Sequence, residues 1–243
     1  MKNTARTKKN KMRASVIASI SVASVLAALT VIGLSVYGSG AWRGGYYNMK
    51  CDIFRRENKS AETGKTVFVG DSITDFCNLE RFYPDVEAYN RGISGDTTDG
   101  LLKRMDESIF DLHPSRIVFL MGINDLHIQG KNPDHTIANY RKIFSQIRDR
   151  LPSARLIIQS VYPVLNDDFK DIEERCSAGI LQLNTALAAL SEEFEAQFVD
   201  VYAVLDDGDG RLNRAWTDDG LHPNDRGYDA ISQALLPYLS ETQ

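Results

Sequence analysis

Five short apolar runs, separated by amphipathic stretches, constrain this chain more than any other feature. They lie at residues 66–69, 86–89, 116–121, 155–161 and 197–201. Val, Ile, Phe and Leu dominate them without strict polar alternation, the pattern of strands covered on both faces. Residues 135–151 place Ile137, Tyr140, Ile143, Phe144, Ile147 and Leu151 on one helical stripe, with Asp134 as cap and Pro152 just past the end. Residues 172–194 and 225–239 carry similar stripes. Strand following helix following strand implies right-handed crossovers, and hence an α/β fold: a three-layer α/β/α sandwich around a mostly parallel sheet. A chain of 243 residues supports one such domain, and two would be cramped.

The first 64 residues stand apart from that domain, which is expected over 65–243. Residues 1–13 carry Lys2, Arg6, Lys8, Lys9, Lys11 and Arg13 and no acid. From Ala14 to Trp42 there is no charge, and Ala, Val, Ile, Leu and Ser dominate. A helix needs about 20 apolar residues to cross a bilayer. Residues 14–37 are therefore expected to form one transmembrane signal-anchor, with the basic tail in the cytoplasm and the remainder outside. Tyr37, Trp42, Tyr46 and Tyr47 lie where an interfacial aromatic belt would be. Cleavage after a signal peptide is the competing expectation, since Ser39-Gly40-Ala41 is an acceptable site. The apolar run is, however, longer than the roughly 7–15 residues of a signal core. No lipoprotein-like Leu-x-x precedes Cys51. Residues 38–64 read as a linker that becomes a first helix around 52–58.

The whole chain carries −5; six basic residues in 1–13 leave −11 for the rest. An acidic domain argues against nucleic acid as a partner. Cys51, Cys77 and Cys176 are too few and too widely spaced for a disulfide framework or a metal cluster.

In sheets of this kind ligands bind beyond the carboxyl ends of the strands. Four suggestive segments fall there or in the C-terminal loop: Gly70-Asp71-Ser72, "NRGISGDT" at 90–97, "GIND" at 122–125 and "DDGLHPN" at 218–224. Acyl transfer needs a nucleophile, a base, a group that orients the base, and donors for an oxyanion. Ser72 can be the nucleophile. Of four histidines, His113 precedes a strand, His135 opens a helix, and His127 is a rival base. His222 has the best context, because Asp219 stands three residues before it and a turn through Gly220-Leu221 could fold the carboxylate onto Nδ1. The Ser72 and Gly95 amides and the Asn124 side chain can supply oxyanion donors. "DDGDGRL" at 206–212 holds a fragment of a calcium loop but no Glu at the needed distance, so an exposed turn is expected.

Taken together, these four blocks resemble the SGNH hydrolases, also called the GDSL lipase/esterase family. The matches are Gly70-Asp71-Ser72, Gly95 in "NRGISGDTT", Asn124 in "GIND", and Asp219-Gly220-Leu221-His222. The likeness covers roughly residues 50–241. "NRGISGDTT" looks most like the lysophospholipase-like and platelet-activating-factor-acetylhydrolase-like branches. The resemblance implies a flavodoxin-like sheet and ester cleavage through an acyl-enzyme, with no metal or organic cofactor. It also implies Ser72 as nucleophile, His222 as base and Asp219 as orienting acid, with Ser72, Gly95 and Asn124 as the oxyanion hole. The expected substrate is a small-molecule, glycan or lipid ester. O-acyl transfer to an envelope glycan on the same site is the alternative, and a non-catalytic binding module a third reading.

Overall fold

The computed structural model describes residues 40–240. The basic tail and the expected transmembrane segment, 1–37, lie outside the described residues. Among the described residues no helix is long and apolar enough to cross a membrane. A compact unit begins at Tyr47.

The sheet has five parallel strands: β1 (Thr66–Gly70), β2 (Ala88–Gly92), β3 (Arg116–Leu120), β4 (Arg155–Gln159) and β5 (Gln197–Val199), in the order β2-β1-β3-β4-β5. This is the doubly wound order, and its chain reversal falls between β1 and β3, where such sheets place ligands. Successive strand residues feed two cores, as the two-residue period demands. Val67, Val69, Ile117, Phe119, Leu156 and Ile158 join the core beneath helices α7 (Pro133–Arg150) and α8 (Ile172–Glu193). Phe68, Val118, Leu120, Ile157 and Val199 join the core beneath α10 (Asp225–Ser240). Both faces are dry, which explains apolar runs without alternation. The remaining helices are α1 (Gly40–Glu57), α2 (Ser72–Asp75), α3 (Leu79–Phe82), α4 (Thr98–Leu101), α5 (Met105–Ser108), α6 (Ile123–His127) and α9 (Val201–Leu205).

Three expectations need correction. Helix α1 already runs from Gly40, upstream of the expected 52–58. Residues 43–51 looked like a linker because Gly44 and Gly45 are poor helix formers. Packing overrides that propensity: Cys51 and Phe54, one turn apart, are buried, and Tyr47 Oη donates to Gly100 O at 2.8 Å. Second, β2 starts later than expected and extends through Asn90 and Arg91 to Gly92. Its polar residues hid it, because it is an edge strand and the Arg91 head is neutralised by Glu57 at 2.8 Å. Third, α7 is capped by Asn132, whose Oδ1 accepts from Asp134 N at 3.0 Å, with Pro133 at the first helical position. The expected cap, Asp134, lies inside the first turn.

The stripe of α7 is buried as expected, and Phe144 is its centre. It is 0% exposed and meets Phe119 edge-on at 5.1 Å and Phe194 at 5.9 Å. Phe144→Ala is expected to cost about 3–5 kcal/mol in urea unfolding. A loss below about 1 kcal/mol would mean that the two-core packing is not what stabilises the sheet.

Candidate active site

Strand β1 ends at Gly70 and hands over to Asp71, which caps α2 by accepting from Ile73 N at 3.0 Å. Ser72 is therefore the first helical residue, where its own N–H has no acceptor within the helix. The residue is 5% exposed, and its Oγ lies 2.9 Å from His222 Nε2. His222 Nδ1 lies 2.6 Å from Asp219 Oδ2. The other carboxylate oxygen, Oδ1, accepts from His222 N at 2.8 Å and Leu221 N at 2.9 Å. Gly220 makes this fold-back feasible. Its φ is +89°, and a Cβ there would fall 2.2 Å from Leu165 O. Thr217 Oγ1 donates to His222 O at 2.8 Å, fixing the loop from beneath. Tyr228 Oη donates to Ile73 O at 2.7 Å, joining α10 to the helix that carries Ser72.

Burial pushes the Asp219 carboxyl up, but the bonds from the His222 ring and from the His222 and Leu221 amides outweigh it. They hold this group below the ordinary carboxylate value, so it is ionised. An ionised carboxylate on Nδ1 favours the tautomer that leaves Nε2 free to accept from a hydroxyl. Phe76 and Phe169 stand on the ring of His222, at 5.2 and 5.8 Å between centroids.

The other segments meet at the same end of the sheet. Gly95 has φ +76°, and Asp96 N donates to Ile93 O at 3.1 Å across it. In such a turn the Gly95 N–H makes no bond within the turn. Asn124, on α6, donates one amide hydrogen to Asp96 O at 2.9 Å and keeps the second. Ser94 N donates to Asp75 Oδ2 at 2.9 Å, and Asp75 pairs with Lys50 at 2.7 Å. Thus Ser72, His222 and Asp219 are joined directly. Gly95 and Asn124 are joined through Asp96, and Asp75 ties their loop to α2.

Of the other histidines, the rival His127 shares the Phe169 ring with His222 but takes no part in the bonds that join Ser72, His222 and Asp219. His127 packs edge-on against Phe169 at 5.8 Å, His135 meets Asp99 at 3.0 Å, and His113 sits in a left-handed turn ahead of β3. Asp207 and Asp209 face Arg211 at 3.0 and 3.1 Å. Among the described residues no His, Cys, Asp or Glu cluster could hold a metal. Cys51 and Cys176 are buried free thiols, and Cys77 is a partly exposed one.

Sequence reasoning missed the scaffold beneath. Arg104 is 0% exposed. It donates to Gly70 O at 2.9 Å, Arg91 O at 2.7 Å, Ser108 Oγ at 2.8 Å and Asp96 Oδ2 at 2.8 Å. Asp125 accepts from the Thr98 amide at 3.1 Å and from its hydroxyl. Arg104 stands beside Lys103 and just before Asp106 and Glu107, where it reads as an exposed charge, so only the fold reveals it. Burial is the main cause that raises the Asp71 carboxyl to about 7; the nearby Asp96 and Asp125 carboxylates add to it, against the pull of Ile73 N–H. Burial also brings Asp125 to about 6, against the Thr98 bonds.

A raised folded-state pKa means that the folded chain holds the Asp71 proton more tightly than the unfolded chain. The stability this group contributes is complete below about pH 4 and is lost as pH rises through about 7. Asp71→Asn keeps a capping oxygen and removes the titration. The melting temperature of Asp71→Asn relative to the parent is expected to climb steadily from pH 4 to pH 8. A flat difference across that window would contradict it.

The sequence profile of the GDSL-like lipase/acylhydrolase family matches residues 68–230. The chain is 25% identical over 191 residues to an N-acylneuraminate cytidylyltransferase of Escherichia coli, covering 78% of this chain but only 44% of that protein. It is 25% identical over 210 residues to an acetylxylan esterase of Geobacillus stearothermophilus, covering 71% of this chain and 92% of that one. A structure from Streptococcus pneumonia, named for platelet activating factor, superposes with a TM-score of 0.77 at 26% identity, covering 87% of this chain and 99% of its own. With the profile covering most of its length, this chain belongs to the GDSL-like lipase/acylhydrolase family.

Proposed function

We propose that the chain hydrolyses small acyl esters, acetyl or short-chain ones above all, through a covalent acyl-enzyme on Ser72. The observation that carries this reading is the unbroken relay Ser72 Oγ–His222 Nε2–His222 Nδ1–Asp219 Oδ2, with spacings of 2.9 and 2.6 Å.

In this mechanism the ester carbonyl sits against Ser72 N–H, Gly95 N–H and the spare Asn124 amide hydrogen. Ser72 Oγ attacks the carbonyl carbon while its proton passes to His222 Nε2. The C=O π pair becomes an oxyanion, stabilised by those three donors. Asp219 stabilises the imidazolium without taking its proton. The carbonyl re-forms, the bond to the alkoxy oxygen breaks, and the alcohol leaves with the proton from Nε2. Water then gives its proton to His222 and attacks the acyl-enzyme, releasing the acid and restoring Ser72. The residues that hold the donors in place are already bonded without substrate, as preorganisation requires.

On p-nitrophenyl acetate, Ser72→Ala is expected to lower kcat at least about 10⁴-fold. Asn124→Ala is expected to lower it about 100- to 1,000-fold. Parent-like turnover by Ser72→Ala would end this assignment. With an oligosaccharide acceptor added, free acid is the expected product; acyl-sugar instead would favour the transferase alternative.

The same proposal places this chemistry outside the cytoplasmic membrane, on a single span formed by residues 14–37. The support is the uncharged run from Ala14 to Trp42 behind six basic residues. Full-length protein is expected to stay with membranes after alkaline carbonate extraction and to be digested by protease added outside. Release of an uncleaved chain by carbonate, or protection of its esterase unit, would refute the anchor.

A further inference from the structure

Beside the triad lies a cleft of about 900 Å³, within the roughly 300–1,000 Å³ of ligand sites. Its wall begins at Phe76, the ring that meets His222, and at Pro223, the residue after that histidine. Phe76 is 55% exposed, unusual for a large aromatic side chain. The rest of the wall is mostly polar, with Arg81, Arg214, Arg226, Asp218 and Asn224. Arg81 is paired with Asp225 at 2.7 Å, and Arg214 with Asp167. Those two pairs are each neutral, Asp167 lying just outside the wall, and Arg226 and Asp218 add one charge of each sign. An acyl chain or a lysolipid tail needs a continuous apolar trough, which these side chains interrupt. An anionic ligand needs surplus positive charge, and this balance leaves none. A neutral sugar needs what is here: an exposed aromatic face for its C–H surface, and closely spaced donors and acceptors for its hydroxyls.

We propose that this cleft is a subsite for neutral oligosaccharide, so that the ester cleaved at Ser72 is an acyl group carried on a sugar ring seated against Phe76. This rests on the hydrolase reading above and adds the identity of the alcohol. Arg226 and Asp218 contact hydroxyls, and Phe76 stacks on the ring that presents its ester toward His222.

The test compares acetylated xylotetraose with p-nitrophenyl acetate for the full chain. The ratio of kcat/KM for the sugar ester to that for the aryl ester is expected to fall at least about 10-fold in Phe76→Ala and about threefold in Arg226→Ala, both mainly through KM; tenfold corresponds to about 1.4 kcal/mol. Separately, unacetylated xylotetraose and chitotetraose are titrated into Ser72→Ala protein by calorimetry. Binding of at least one, weakened when Phe76→Ala is added, is the expected result. An unchanged ratio in both variants overturns the proposal, as does binding of neither tetrasaccharide, or a preference for a lysophospholipid over the sugar ester. If the parent chain fails on p-nitrophenyl acetate, the hydrolase reading falls and the calorimetric arm alone decides the cleft.

Discussion

A single buried guanidinium holds the working end of this molecule together. Arg104 bonds the carbonyl that ends β1, the Arg91 carbonyl one residue before the end of β2, and the carboxylate of Asp96 in the loop beyond. Buried carbonyls at strand ends need donors, and Gly70 O takes one from Ile93 N at 3.1 Å and one from Arg104. One planar cation with five donors meets that need for two strands and a loop at once. Burying a charge is costly unless it is paired and bonded, and Arg104 is paired with Asp96 and makes four hydrogen bonds. Its position decides where Asp71 and Ser72 leave the sheet and where the Gly95 turn begins.

Everything proposed about catalysis is built outward from that clamp. The first layer is Asp96, whose carbonyl holds the Asn124 amide and whose carboxylate answers Arg104. The second is Asp75, which receives Ser94 N–H and is paired with Lys50. The third is the C-terminal loop, which brings His222 to Ser72 across 150 residues of chain. The sheet order supplies the rest, because reversal between β1 and β3 leaves a crevice at that point.

The elements legible in the sequence were those whose signal is local. Central strands β1, β3 and β4 announce themselves as apolar runs, and α7 by its stripe from Tyr140 to Ile147. The joining of Ser72, His222 and Asp219 was legible for a different reason: few histidines, one of them near an aspartate, and a chemistry that demands both. What was not legible depends on neighbours remote in sequence. Edge strand β2 contains Asn90 and Arg91, which read as loop until Glu57 is found beside Arg91. The start of α1 carries two glycines, and its place is set by what Cys51 and Phe54 touch. Arg104, Asp96 and Asp125 look like surface charges until the fold encloses them.

The loop carrying Phe169 is bonded directly to the loop carrying His222. Leu165 N donates to Gly220 O at 2.8 Å, Asp168 N donates to Asp219 O at 3.2 Å, and Gly220 has no room for a side chain beside Leu165. A lineage diversifying its substrates would ordinarily vary such a rim freely. Here any insertion or shift between residues 164 and 170 drags the imidazole with it. Divergence in selectivity is therefore channelled to the wall around Arg81, which bonds Asp225 and not the loop that carries His222.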